Sequence, residues 1–170
     1  MDIYTLLVFL HIAVAIAWVG GAFGVVLLGS IAIGRKNSDD LMAIARMTES
    51  LAKMIFMPAS LIILVLGVIM VWQNWSFADA WVVFGIAGVV MTGYIGGRIL
   101  TPLTKQLAAS EDPTERDSLA AKLFTSARAD VTMLFVIIWA MVSKPAWSDW
   151  IELALMAVII IGGAVLFIRR

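Results

Sequence analysis

His11 is the single histidine of the chain. It stands within an apolar run, Ile3 to Ile33, seven residues before Trp18 and close to the pair Gly20, Gly21. An imidazole binds metals and carries protons, and where water is scarce such a group is costly unless something uses it. Three roles stay open on the residues alone. The ring is neutral and bonded to a hydroxyl or carbonyl of a neighbouring helix, or it is an axial ligand to haem b iron with Trp18 against the porphyrin, or it handles a proton or substrate. One histidine cannot provide a bis-histidine pair, so a haem would take its sixth ligand from Met, water or another copy, or leave that position empty.

Methionine offers a second chemistry. Met47, Met54 and Met57 share a helical face, Met54 and Met57 being three residues apart, and thioethers are soft ligands for copper(I) as well as common packing residues. His11, Met54 and Met57 are therefore the candidate metal ligands. The chain has no cysteine, which removes disulfides and thiolate sites. Lys53 and Arg98 lie at helix ends where their stems can snorkel, and Glu152 lies about one turn inside the last apolar run. There is no carboxylate pair, no nucleophile with a base, no phosphate loop and no nucleic-acid face, so the expectation leans away from an enzyme and names no catalytic residue.

The elements that must position these residues are apolar helices. Hydrophobic residues make up 62%, charged residues 14%, and the mean hydropathy is +1.01, too little polar surface to cover a soluble protein of this size. The apolar runs are Ile3 to Ile33, Lys53 to Trp72, Ala80 to Leu107, Val131 to Val142 and Trp150 to Ile168, set against the roughly 20 residues that cross a bilayer. The fourth is short, but Thr114 to Asp130 holds no Pro or Gly and reads as an amphipathic helix. A continuous helix from Thr114 to Ser143, with Pro113 at its first turn, would put only its second half at membrane depth. The first run, lacking a basic leader, reads as a retained span and not a cleaved signal.

Charge sets the orientation. Arg35, Lys36, Arg46 and Lys53 follow the first run, Arg98, Lys105, Arg116, Lys122 and Arg128 lie around the third loop, and Arg169 and Arg170 end the chain, leaving Lys144 alone on the other side. The positive-inside rule then predicts an N-terminus outside, a C-terminus inside and five spans. Trp72, Trp75, Trp81, Trp147 and Trp150 flank the two short outer loops as an aromatic belt, while the mixed-sign inner loops read as solvated helix extensions. On the first helix, His11, Ala15, Trp18 and Ala22 form one stripe, with Ala13, Ala17, Gly20, Gly21 and Gly24 about half a turn away. Gly85, Gly88, Gly93, Gly96 and Gly97 give the third helix its own small face, and close packing of helices one and three, or of two copies of the chain, is expected there.

The stretch LHIAVAIAWVGG, Leu10 to Gly21, resembles the first helix of a bacterial membrane superfamily. That group includes the copper-resistance protein D domain, the haem-linked protoporphyrinogen oxidase and an uncharacterised predicted integral membrane family. Met57, Pro58, Ala59 and Gly67, then GYIGGRILTPL from Gly93 to Leu103, and Met141 to Pro145 extend the likeness over roughly residues 3 to 145, closest to the uncharacterised family. The oxidase pattern has a lysine where this chain has Trp81 and a further histidine near Thr92; only His11 is retained, and the extra histidines of the copper family are missing.

The reading is a single all-α membrane domain over residues 1–170 in a bacterial inner membrane, with a family-like four-helix core at 3–145 and an added helix at 149–168. The resemblance implies haem b at His11 and Trp18. A small metal or solute permease, and a helix-packing accessory subunit, are the alternatives. The lipid bilayer and a second copy of the chain are the expected partners, and nucleic acid is not.

Overall fold

The computed structural model describes residues 2–35 and 38–168, with Ser38 and 163–168 as backbone only. The described residues are helical and form no strand: α1 (Ile3–Gly34), α2 (Ser38–Leu51), α3 (Met57–Asn74), α4 (Ala80–Ile95), α5 (Thr101–Ala109), α6 (Pro113–Ser143) and α7 (Trp150–Ile168). Single π-helical turns, Ala52–Phe56 and Gly96–Leu100, join α2 to α3 and α4 to α5, so residues 38–74 and 80–109 are each one long helix. Four helical stretches are long and apolar enough to cross a membrane; the described apolar part of the last helix, Trp150–Gly162, is shorter. Arg169 and Arg170 lie outside the described residues.

Helix boundaries follow local chemistry. Asp2 caps α1 by accepting from the Thr5 amide at 2.7 Å, a contact that also holds its carboxyl below the usual carboxylate range. Asp112 accepts from the Thr114 amide at 2.9 Å with Pro113 in the first turn of α6, as the sequence predicts. Lys144 ends α6 in the left-handed region, φ 49°. Its ammonium sits 3.9 Å from the centre of the Trp75 ring and 5.2 Å from that of Trp81. The Trp75 indole donates to the Tyr4 hydroxyl at 3.2 Å and the Trp147 indole to the Ala78 carbonyl at 2.9 Å, so belt tryptophans also tie the two loops of that end together.

α6 is the hub, packed on α1, α4, α5 and α7, while α1 lies along α3. Two sequence expectations are corrected here. The segments at the basic end are not merely solvated extensions: Leu41, Met42 and Ala45 of α2, Leu107 of α5 and Leu119, Ala120, Leu123 and Phe124 of α6 bury one another with Ala32 of α1. Nor do α1 and α4 form a small-residue seam. Gly85 and Gly88 instead receive Met141 and Ile137 of α6, Gly21 faces Phe56 and Gly29 faces Phe124, because the bulkier ridges of these partners fill the notches that glycine leaves. The Ala13, Ala17, Gly20 stripe points away from the bundle.

Candidate binding cavity

Each π turn is followed by a proline. Pro58 and Pro102 stand second in the helices that continue the second and third spans. Proline lacks an amide hydrogen and its ring crowds the carbonyl four residues back, here that of Met54 or Arg98. The helix responds by widening: the Met57 amide donates to the Ala52 carbonyl and the Thr101 amide to the Gly96 carbonyl, each five residues back. Both widened turns contribute residues to the wall of one space between the helices, Ala52 and Phe56 from the first and Gly96, Gly97 and Leu100 from the second.

That space is a cavity of about 150 Å³. Trp18 of α1, Phe56 and Gly96 of the π turns, and Phe124 and Asp130 of α6 are among its walls. Asp130 is 7% exposed. Its Oδ1 is buried and has no hydrogen-bond partner among the described residues. No described cation pairs with it: Lys53 is held by Glu49 at 2.9 Å, and the guanidinium of Arg128 turns away to the Ser30 hydroxyl at 3.0 Å. Asp130 lies thirteen residues from Ser143, about 20 Å along a helix rising ~1.5 Å per residue, which is within a hydrocarbon core about 30 Å thick if Ser143 marks the interface.

Five hydroxyls also line the cavity, and each donates to its own helix: Thr48 to the Ile44 carbonyl, Ser60 to Met57, Thr92 to Val89, Thr101 to Gly96 and Thr104 to Leu100, at 2.7 to 3.1 Å.

The residues singled out in the sequence are only partly brought together. Trp18 is buried and lines the cavity. His11 does not line it; the ring packs on α3, its Cε1 3.5 Å from where a Cβ of Gly67 would lie. Its Nδ1 is buried and has no hydrogen-bond partner among the described residues. The two residues are about 10 Å apart along the axis. A porphyrin does not fit this arrangement, because the imidazole is packed against the α3 backbone and the cavity beside Trp18 is well below the ~300–1,000 Å³ of pockets for ligands of that size. Met57 sits on the cavity wall, whereas Met54 is 77% exposed and lies outside it. The intervening π turn breaks the regular spacing of three on which their pairing rests.

Sequence reasoning passed over Asp130, counting it as the end of an amphipathic helix. A signal was present: Leu119, Leu123, Ser126, Asp130 and Leu134 recur at spacings of three and four, and all are buried. A carboxylate on the apolar stripe of a helix is out of place unless something requires it.

No curated protein and no solved structure matches the chain. A family model does, over residues 5–145, which covers α1 to the end of α6 and stops short of α7. The chain is thus a member of the family described as predicted integral membrane protein, DUF2269.

Proposed function

We propose that this protein binds a small solute within the membrane, as a permease does, at the cavity formed by Asp130, Trp18 and the two π turns. The observation that carries the reading is the Asp130 carboxylate, buried, partnerless and set in the wall of a cavity with hydroxyls around it. Leaving a buried carboxylate without a partner costs several kcal/mol in order of magnitude. A bundle that needed only to fold would be better served by leucine there. Toward the tryptophan end the cavity is closed by the packed side chains of Trp18, Ile63 and Leu134, so passage through the bundle requires that cluster to repack. In this reading the basic end faces the cytoplasm of a bacterial inner membrane, the last helix makes a fifth span, and the solute site lies in the inner half of the bilayer.

The absence of native cysteine makes the test clean. Ala127, on the cavity wall one turn before Asp130, is replaced by cysteine in the full-length protein in membranes, and its reaction with water-soluble thiosulfonates is followed. The expected result is labelling in which the cationic reagent outpaces the anionic one by about ten-fold, equivalent to ~1.4 kcal/mol, with the preference lost in Asp130→Asn. No labelling by either reagent, or labelling blind to charge, would overturn the assignment.

A further inference from the structure

We infer that the group held at Asp130 is a primary alkylammonium, admitted sideways from the bilayer between α3 and α4; this rests on the reading of the cavity as a solute site. The first argument is a count of donors and acceptors. A hydroxyl has one proton and two lone pairs. All five lining hydroxyls have committed the proton to a backbone carbonyl, so toward the cavity they can only accept. Ionised Asp130 is an acceptor, and so is Glu49 at the rim, where it already holds Lys53. Beside the Trp18 indole, no free side-chain donor lines the wall. An anion or a carbonyl compound would find only that one side-chain donor, whereas an ammonium brings three N–H donors and no acceptor.

The second argument separates an organic cation from a metal ion. Divalent ions gather several oxygen or nitrogen ligands, commonly with more than one carboxylate. Among the described residues no three His, Cys, Asp or Glu side chains come together. The rings of Trp18, Phe56 and Phe124 in the wall suit a cation that carries carbon, through cation–π attraction and burial of its alkyl part.

The third argument is the entrance. Met57, Gly93 and Gly97 belong to the cavity wall and are also exposed on the outer surface of the bundle. A Cβ added at Gly93 or Gly97 would meet no atom within 4 Å. Gly93 is thirteen residues from Ala80, so this side opening lies at about the depth of Asp130, ~20 Å from the tryptophan end. An amine with an apolar tail could seat its head at Asp130 and leave the tail among acyl chains. The head could come from a free alkylamine or from an aminophospholipid.

The test uses the full-length protein in lipid nanodiscs and calorimetric titration with ethylammonium, potassium and ethanol. Ethylammonium is expected to bind saturably, at least ten-fold more tightly than ethanol or potassium, and Asp130→Asn is expected to lose at least ten-fold in affinity. Gly97→Leu, which narrows the entrance and leaves the carboxylate, is expected to slow association with tailed amines such as dodecylammonium more than with ethylammonium. Native mass spectrometry separates the sources. Retained phosphatidylethanolamine that ethylammonium displaces identifies the lipid head, and ethylammonium binding with no retained phosphatidylethanolamine identifies a free amine. Potassium binding that needs Asp130 while ethylammonium fails would overturn the ammonium assignment and leave the solute site standing. Equal binding of ethylammonium and ethanol, or ethylammonium affinity unchanged in Asp130→Asn, would overturn it too. If no probe binds in a way that depends on Asp130, both readings fall.

Discussion

Two polar side chains in apolar surroundings, His11 and Asp130, each leave one buried atom without a hydrogen-bond partner among the described residues, but only Asp130 lines the cavity. His11 rests on α3 beside Gly67, a common setting for an imidazole between membrane helices. Asp130 stands instead in the wall of the cavity. Stability measurements should separate residues kept for packing from one kept for use. Asp130→Asn, which removes a partnerless charge, is expected to unfold at a thermal midpoint equal to or above that of the parent. Gly29→Ala is expected to cost roughly 1–3 kcal/mol, because its methyl group would enter the Phe124 ring. Gly24→Ala, which meets nothing within 4 Å and gains helix propensity, serves as the control, with stability equal to or above that of the parent. A clear loss of stability in Asp130→Asn would mean that the carboxylate is structural.

At the scale of elements, the two π turns are one device used twice. Pro58 and Pro102 each force the preceding turn to widen, and the wide turns together form one side of the cavity. Pro102→Ala restores the missing amide and allows the third span to return to regular α-helix, which would rotate Gly96 and Gly97 out of their present positions. The expected outcome is slower reaction of Ala127→Cys with the cationic thiosulfonate, by about ten-fold, while circular dichroism still reports a helical bundle. Unchanged labelling would show that packing around Thr101 and Leu100, and not the proline, maintains the wide turn.

At the scale of the molecule, charge and aromatic residues divide the bundle into two ends. Arg35, Arg46, Lys105, Arg116 and Lys122 surround the packed α2, α5 and α6 segments, and Lys144 stands among tryptophans at the other end. If the basic end is cytoplasmic, a reporter active only in the periplasm should work at the N-terminus and near Asn74 and fail when fused after Arg170. Activity at the last position would remove the fifth span and leave the four long helices as the membrane part. The outward Ala13, Ala17, Gly20 stripe of α1 leaves room for close approach by lipid or by another helix.

What the sequence determined by itself was solvent and segmentation. Long apolar runs must become helices in hydrocarbon, since no other open structure satisfies the backbone there, and Pro113 and the apolar run to Ser143 marked α6 before any contact was known. The grouping of His11, Ala15, Trp18 and Ala22 on one stripe of α1 was also legible from a period of 3.6, although close packing was expected at the opposite small-residue stripe, where Ala13, Ala17 and Gly20 are exposed. Periodicity groups residues on one face of an apolar helix but does not say which neighbour that face meets, so the glycines of α4 were matched to α1 when their partners were Met141 and Ile137. The cavity was beyond reach for the same reason. It exists because two proline-widened turns, 44 residues apart in the chain, stand side by side opposite one carboxylate of α6, and only tertiary packing sets that opposition.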